Sequence, residues 1–235
     1  MHSHPRSLSF PLIKICGITR IADVDAVAKA KATAIGLNFV PGSPRCVDLQ
    51  TAAALSRRAR QHNLAVAAVV RNLEEQPLLE LLARIDVDWV QLHGEESPSI
   101  LSVCGDRPVI KSISWTGRSQ ELQIAAAWRA AYDAFTGAAG GFKAFLVDAY
   151  APQQGGGTGQ PARWDLLWPR PSELDDLPLI LAGGLKPENV AEAILRTRCD
   201  GVDTASGVES SPGVKSEQSM QPFALQAFEG FRNLA

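Results

Sequence analysis

The chain has 235 residues and a formal net charge of −2, with 46% hydrophobic and 20% charged residues. This balance excludes a disordered chain and the basic excess of a nucleic-acid-binding protein, and the length suits one α/β barrel or two small domains. The longest apolar runs, such as residues 64–70, are too short to cross a bilayer, and residues 1–9 lack the apolar core of a signal peptide. We therefore expect a cytoplasmic protein with no nucleic-acid partner and no membrane partner.

The cysteine and histidine spacing indicates neither a disulfide framework nor a metal centre. The four cysteines are scattered without a CxxC pair, and the four histidines form no ligand cluster with them. We therefore expect no cofactor and no metal. The oligomeric state that we expect, a monomer or a weak homodimer, is not encoded in any motif.

Short β-rich runs alternate with helical patterns along the chain, after a lead over residues 1–10 that we expect to be loosely ordered. The predicted strands are Leu12 to Cys16, Ala34 to Val40, Ala65 to Val70, Trp89 to His93, Val109 to Ile113, Ala144 to Asp148, Leu179 to Ala182 and Gly201 to Thr204. The predicted helices are Ile21 to Ala32, Leu49 to His62, Glu75 to Arg84, Pro98 to Cys104, Ser119 to Ala134, Pro187 to Arg196 and Ser216 to Phe231, with a short weak one at Trp164 to Trp168. This repeat predicts a single-domain (β/α)8 barrel over residues 11–235. A doubly wound sheet is the alternative, but no GxGxxG motif follows the first strand.

The first predicted strand brings a thiol to the loop that follows it. Because side chains alternate along a strand, Lys14 and Cys16 share one face while Ile13 and Ile15 share the other. A nearby ammonium group favours the thiolate form of a cysteine. The alternative is a small buried cysteine with no chemical role, which is the commoner fate of a lone thiol.

In a barrel of this kind the chemistry lies at the C-terminal ends of the strands, and three glycine-rich turns follow such ends. They are residues 155–159, the pair Gly183 and Gly184, and the pair Ser206 and Gly207. Glycine lets backbone N–H groups approach phosphate oxygens, so these turns predict a site for a phosphate ester. Residues 155–159 read equally well as a flexible surface loop.

Several charged or titratable side chains also lie within predicted strands or shortly after them. Asp148 and Cys16 are placed to act as a general acid and base across one cavity, although an aspartate at a strand end is more often a loop hydrogen-bond acceptor. Arg45 is placed either to bind a carboxylate or to be solvated, and Asp203 either to bind sugar hydroxyls or to form a structural pair. Lys111 is expected to point into the barrel or its mouth, where it would simply pair with a neighbouring carboxylate.

Taken in order, the strand-end motifs are similar to those of a known family. They are KICGIT from Lys14, FVPGSPR ending at Arg45, VQLHG from Val90, Asp148 followed by GGTG at 156–159, LAGGL from Leu181, and GVD at Gly201 with SGVE at Ser206. On these motifs the chain resembles phosphoribosylanthranilate isomerase, a barrel enzyme of tryptophan biosynthesis.

The resemblance implies an Amadori rearrangement of N-(5-phosphoribosyl)anthranilate to 1-(2-carboxyphenylamino)-1-deoxyribulose 5-phosphate, without cofactor or metal. It implies that Cys16 is the general base, that Asp148 is the general acid and that Arg45 binds the anthranilate carboxylate. The substrate, a small phosphoribosyl molecule, would be held at its phosphate by the following residues: Gly157, Gly183, Gly184, Ser206 and Gly207. Asp203 would bind the ribose hydroxyls.

Two alternatives stay open from the sequence. One is a related sugar-phosphate enzyme on the same fold, such as an epimerase or the cyclase of the same pathway. The other is a non-catalytic barrel that binds phosphorylated metabolites and uses Cys16 as a redox sensor.

Overall fold

Eight parallel strands close into a barrel in chain order, with β8 returning to pair with β1. The structure is a computed structural model that describes residues 6–134, 140–148 and 163–234. The strands are β1 Leu12–Cys16, β2 Ala34–Asn38, β3 Ala65–Val70, β4 Trp89–Leu92, β5 Pro108–Ser114, β6 Gly141–Asp148, β7 Leu179–Ala182 and β8 Gly201–Thr204. The predicted (β/α)8 barrel is confirmed, and its closure excludes the doubly wound sheet.

Helices cover the outside of the barrel, though less regularly than the sequence pattern predicts. They are α1 Ile21–Lys29, α2 Leu49–Gln61, α3 Glu75–Arg84, α4 Leu101–Cys104, α5 Ser119–Ala134, α6 Val190–Thr197 and α7 Glu217–Arg232. Between β6 and β7 the described residues form only short 3₁₀ turns, at Trp164–Leu166 and Ser172–Leu174, in place of a full helix. None of the helices within the described ranges is long and apolar enough to cross a bilayer.

An antiparallel hairpin follows β8, and the sequence pattern did not predict it. Its strands are β9 Glu209–Ser211 and β10 Val214–Lys215, joined through Gly213. Such short strands lack the length over which alternation is recognisable. The hairpin lies immediately before α7, beside the loops of β1 and β2.

Local signals account well for elements such as α2. The carboxylate of Asp48 accepts a hydrogen bond from the Thr51 backbone N–H at 2.7 Å and caps the helix N-terminus. Ala52, Leu55 and Ala59 are buried at spacings of three and four residues, which turns one apolar face toward the strands.

The interior of the barrel is filled along most of its length by apolar side chains. They are Leu12, Ala34, Ala65, Ala67, Trp89, Ile110, Ala144, Leu146, Ile180 and Ala182. The indole of Trp89 donates a hydrogen bond to the Arg6 carbonyl at 2.9 Å, and the Arg6 N–H donates to Asp88 at the same distance. Residues 1–5 of the predicted N-terminal extension lie outside the described residues.

The expectation that Lys111 points into the barrel or its mouth is wrong. Lys111 shares a strand face with Val109 and Ile113, which both pack in the cluster under the helices. Its ammonium donates to Glu96 at 2.8 Å and lies 5.7 Å from the centre of the Trp128 ring. The carboxylate pairing considered for Lys111 is therefore confirmed, but the pair lies outside the barrel wall.

Candidate active site

A cavity of about 310 Å³ lies at the C-terminal end of the barrel. It is lined by all the predicted site residues that the structure describes, namely Cys16, Arg45, Asp148, Gly183, Gly184, Asp203, Ser206 and Gly207. The remaining predicted residue, Gly157, lies outside the described residues. Barrel closure thus brings together side chains and turns from the ends of five strands.

The catalytic candidate Cys16 sits above a buried ion pair. The Lys14 ammonium donates a hydrogen bond to Asp203 Oδ1 at 2.8 Å, and the Lys14 side chain is fully buried. Lys14 and Asp203 are direct partners in the register between β1 and β8. Because alternation places Lys14 and Cys16 on the same face of β1, the ion pair lies directly below the thiol.

Gly36 leaves the space that the thiol and the ammonium occupy, and sequence reasoning missed it. Gly36 on β2 is the register partner of Cys16. A Cβ atom at this position would lie 2.7 Å from Cys16 Sγ and 3.1 Å from Lys14 Nζ. Glycine is therefore required here for close approach, and the signal for it is the pairing of two strands that are distant in sequence.

The groups around Cys16 shift the pKa of its thiol in opposite directions. Burial raises the pKa of Cys16 above its ordinary value, while Lys14 and Lys215 lower it and Asp203 raises it further. The expected effect of Lys14 therefore has the right sign, but burial outweighs it. Burial also opposes the charge of Lys14, yet Asp203 beside it keeps the pKa of that ammonium above its ordinary value. This part of the site thus combines a neutral Cys16 thiol with a charged Lys14 ammonium group.

Asp148 ends β6, three strands around the ring from β1 through β7 and β8. Its backbone carbonyl accepts a hydrogen bond from the Trp115 N–H at 3.1 Å, and its register partners are Ser114 and Ala182. The main chain is therefore fixed on both sides. Its half-buried side chain lines the same cavity as the thiol of Cys16.

The turns after β7 and β8, which the sequence predicts as a phosphate site, form one wall of the cavity. Gly183 and Gly184 have φ angles of +88° and +66°, a left-handed conformation that glycine adopts without strain. Gly207 packs against the Leu185 carbonyl so closely that no Cβ fits, and the Thr204 hydroxyl donates to the same carbonyl at 2.8 Å. The two turns are consequently held together, and their main chains border one end of the cavity.

Arg45 is not a solvated surface arginine. Its Nε and Nη2 atoms donate hydrogen bonds to the two carboxylate oxygens of Glu209, both at 2.7 Å. Glu209 belongs to the SGVE motif, but sequence reasoning gave it no role. The partner of Arg45 is therefore a residue of the hairpin, whose existence the sequence pattern did not show.

Gln91 and His93 complete the wall at the end of β4. The Gln91 amide nitrogen lies 3.4 Å from His93 Nδ1, and Gln91 Oε1 is buried with no hydrogen-bond partner among the described residues. Burial lowers the pKa of His93 below its ordinary value, so the ring is neutral at physiological pH. His93 lines the cavity with its neutral ring.

Fold and cavity together define a (β/α)8-barrel enzyme with its site at the C-terminal ends of the strands. A family model described as N-(5'phosphoribosyl)anthranilate (PRA) isomerase matches residues 13–226. The chain belongs to this family and is an isomerase of tryptophan biosynthesis.

Relatives and solved structures agree with this assignment. The N-(5'-phosphoribosyl)anthranilate isomerase of Myxococcus xanthus is 39% identical over 215 residues, covering 92% of this chain and 95% of the relative. That of Thermosynechococcus vestitus is 42% identical over 204 residues, covering 86% and 84%. The crystal structure of the Thermotoga maritima enzyme has a TM-score of 0.79 at 30% identity, covering 93% of this chain and 98% of that one.

One further solved structure carries a bound molecule. It is a phosphoribosyl anthranilate isomerase in complex with reduced 1-(o-carboxyphenylamino)-1-deoxyribulose 5-phosphate, with a TM-score of 0.76 at 28% identity. It covers 93% of this chain and 98% of that one.

Proposed function

We propose that Cys16 is the general base and Asp148 the general acid of the Amadori rearrangement of N-(5-phosphoribosyl)anthranilate. The observation that carries this proposal is that both side chains line one cavity, from the ends of β1 and β6, which β7 and β8 separate. Two groups that face one substrate from different sides suit proton donation at one atom and proton removal at another.

The reaction divides into two proton transfers. Asp148 donates a proton to the furanose ring oxygen, the bond between that oxygen and C1 breaks, and the nitrogen lone pair forms a C1=N iminium ion. Cys16, as the thiolate, removes the proton from C2, and the released electron pair forms a C1=C2 bond while the iminium electrons return to nitrogen. The resulting enolamine takes up a proton at C1 and loses the proton of its C2 hydroxyl to give the ketone.

The environment of Cys16 suits the second transfer. Before the substrate reacts, burial keeps the thiol protonated, because it raises the pKa of the sulfur by more than the neighbouring lysines lower it. Lys14 and Lys215 favour the thiolate, and an iminium ion formed in the cavity adds a third positive charge beside it. The thiolate form of Cys16 is therefore favoured most at the stage when a base is needed.

The remaining cavity residues bind the substrate in this proposal. Arg45 binds the anthranilate carboxylate, and Asp203, whose Oδ1 is held by Lys14, offers Oδ2 to a ribose hydroxyl. The phosphate is held by main-chain N–H groups of the glycine turns, which are Gly183, Gly184, Ser206, Gly207 and, from outside the described residues, Gly157. An uncharged phosphate site is consistent with the absence of a basic excess in the chain.

Variants of the two catalytic residues test this assignment. Cys16→Ala and Asp148→Asn are each expected to lower kcat by about 100- to 10,000-fold, the usual contribution of a positioned acid or base. Binding of the reduced product analogue is expected to change by less than about threefold, because each change removes a proton-transfer group and little else.

The matched controls are Cys46→Ala, at an exposed thiol, and Asp165→Asn, at an exposed carboxylate, and both should keep normal turnover. Near-normal kcat in either catalytic variant would refute the role given to that residue. Binding of the substrate without any turnover by the unmodified protein would favour the non-catalytic alternative.

We also propose that the protein works in the cytoplasm, as a monomer or weak homodimer, on a small phosphoribosyl molecule and without a nucleic-acid or membrane partner. All four cysteines are free thiols, which supports a reducing compartment. The net charge of −2 supports the absence of a nucleic-acid partner.

A further inference from the structure

Three charged side chains form a continuous chain beside the cavity. Arg45 donates two hydrogen bonds to Glu209, and Lys215 Nζ donates a third to Glu209 Oε1 at 2.9 Å. The Glu209 side chain is 5% exposed and that of Lys215 is fully buried. Burial opposes the charge of Glu209, but the hydrogen bonds from Arg45 and Lys215 outweigh it, and the pKa of the carboxyl lies below its ordinary value. Glu209 is therefore ionised, and both of its carboxylate oxygens accept hydrogen bonds from Arg45.

The hairpin that carries Glu209 is fixed to the loops around it. The Thr19 hydroxyl donates to the Gly213 carbonyl at 2.7 Å, and Lys215 Nζ also donates to the Ala205 carbonyl at 2.9 Å. Gly213, with φ at +79°, approaches the Pro44 carbonyl so closely that a Cβ atom would lie 2.5 Å from its oxygen. The hairpin thus contacts the segment that immediately precedes Arg45 as well as the arginine itself.

The aliphatic stem of Arg45 is held as firmly as its guanidinium. Gly17, with φ at +74°, lies against the Cβ, Cγ and Cδ atoms of Arg45, and no side chain fits between them. A guanidinium on a free stem samples many rotamers, whereas this one is confined at both ends. The confinement indicates a task that needs a defined orientation.

The geometry of the pairing leaves one edge of the guanidinium for a second carboxylate. Glu209 takes the edge formed by Nε and Nη2, so the edge formed by Nη1 and the second hydrogen of Nη2 stays available for bidentate binding. The group of three carries two positive charges and one negative charge, which leaves a net positive charge beside the cavity. A bound carboxylate would neutralise it.

We propose that Glu209, anchored by Lys215, is a positioning residue that orients Arg45 toward the carboxylate of the substrate. This inference rests on the proposed role of Arg45 in binding that carboxylate. It assigns to the hairpin the task of selecting a substrate that carries an acid on its aromatic ring. Glu209 does not touch the substrate itself and acts only through Arg45.

The experiment measures binding of two probes to the full chain. One probe is reduced 1-(o-carboxyphenylamino)-1-deoxyribulose 5-phosphate, and the other is the same compound without the ring carboxyl group. Glu209→Gln should weaken the first probe by about tenfold, the equivalent of one charge-assisted hydrogen bond, and leave the second unchanged. In an Arg45→Ala background the same substitution should have no further effect on either probe.

Two further variants keep the test decisive. Glu217→Gln removes a carboxylate that forms an exposed pair with Lys29, and it should not change the binding of either probe. Lys215→Met removes the anchor of Glu209 and should reproduce the selective loss, so the inference can be tested even if Glu209→Gln does not fold.

The outcomes distinguish a failure of the inference about Glu209 from a failure of the proposed role of Arg45. Equal weakening of both probes by Glu209→Gln, or weakening that persists in the Arg45→Ala background, would mean that Glu209 has only a general structural role. If Arg45→Ala weakens the carboxylate probe while Glu209→Gln and Lys215→Met do not, the inference fails and the role of Arg45 stands. If Arg45→Ala leaves the binding of both probes unchanged, the proposed carboxylate contact itself is wrong.

Discussion

Gly36 offers a direct test of how closely the thiol of the proposed base, Cys16, is placed. In Gly36→Ala the new Cβ atom would lie 2.7 Å from Cys16 Sγ, whereas ordinary contact begins at 3.4 Å. The sulfur must therefore move by about 0.7 Å or more, since neither strand of the barrel can yield easily. A misplacement of about 1 Å at a reacting group costs about 100-fold in rate. We expect kcat of this variant to fall by about 100-fold.

The Michaelis constant is expected to change little, because the contacts proposed for the phosphate and the carboxylate lie on other loops. Steady-state kinetics of anthranilate-riboside consumption, followed by fluorescence, measures both quantities. Gly230→Ala in α7 is the matched control, since its Cβ would also be crowded, at 3.0 Å from Ile194, but far from the cavity. The control should lower the melting temperature and keep kcat. Unchanged turnover in Gly36→Ala would refute the placement of Cys16 as the base.

Two further predictions concern charge. In Lys14→Met the pKa of Cys16 should rise further, because Lys14 lowers it in the native site. The increase in kcat/KM that accompanies deprotonation of the thiol should therefore move to higher pH. Lys29→Met at the surface should leave the pH profile unchanged. Asp88→Asn should lower the free energy of unfolding by about 3 kcal/mol without altering kcat, because it breaks the buried pair with Arg60. Urea denaturation measures the free energy of unfolding, and a loss below about 1 kcal/mol would contradict this prediction.

Periodicity predicted the barrel well because strand alternation and helical spacing are local properties. The bounds of β1, β3, β7 and β8 are as predicted, while β5 and β6 extend further. α6 begins at Val190 and not at Pro187, because residues 187–189 form a turn. Element ends depend on caps and turns that hydrophobic periodicity does not encode.

The candidate site was predictable at the level of residues, but its internal organisation was not. Cys16 and Asp148 end predicted strands and Arg45 follows one, and the fold gathers the three at one end. The sequence showed Glu209 only as part of the SGVE motif, because its partner Arg45 lies 164 positions away. The pairing of two such distant residues depends on a hairpin too short to have a recognisable pattern.

The face of β1 shows why closure of the barrel creates the site. Leu12, Lys14 and Cys16 alternate with outward-facing isoleucines, so one strand face passes from apolar core to ion pair to thiol. The partner of Lys14 is Asp203 on β8, which neighbours β1 only because the first and last strands meet. In an open sheet Lys14 would be a buried cation without a counter-charge, which is strongly unfavourable. The same contact that closes the fold therefore also keeps a positive charge beneath the sulfur that we propose as the catalytic base.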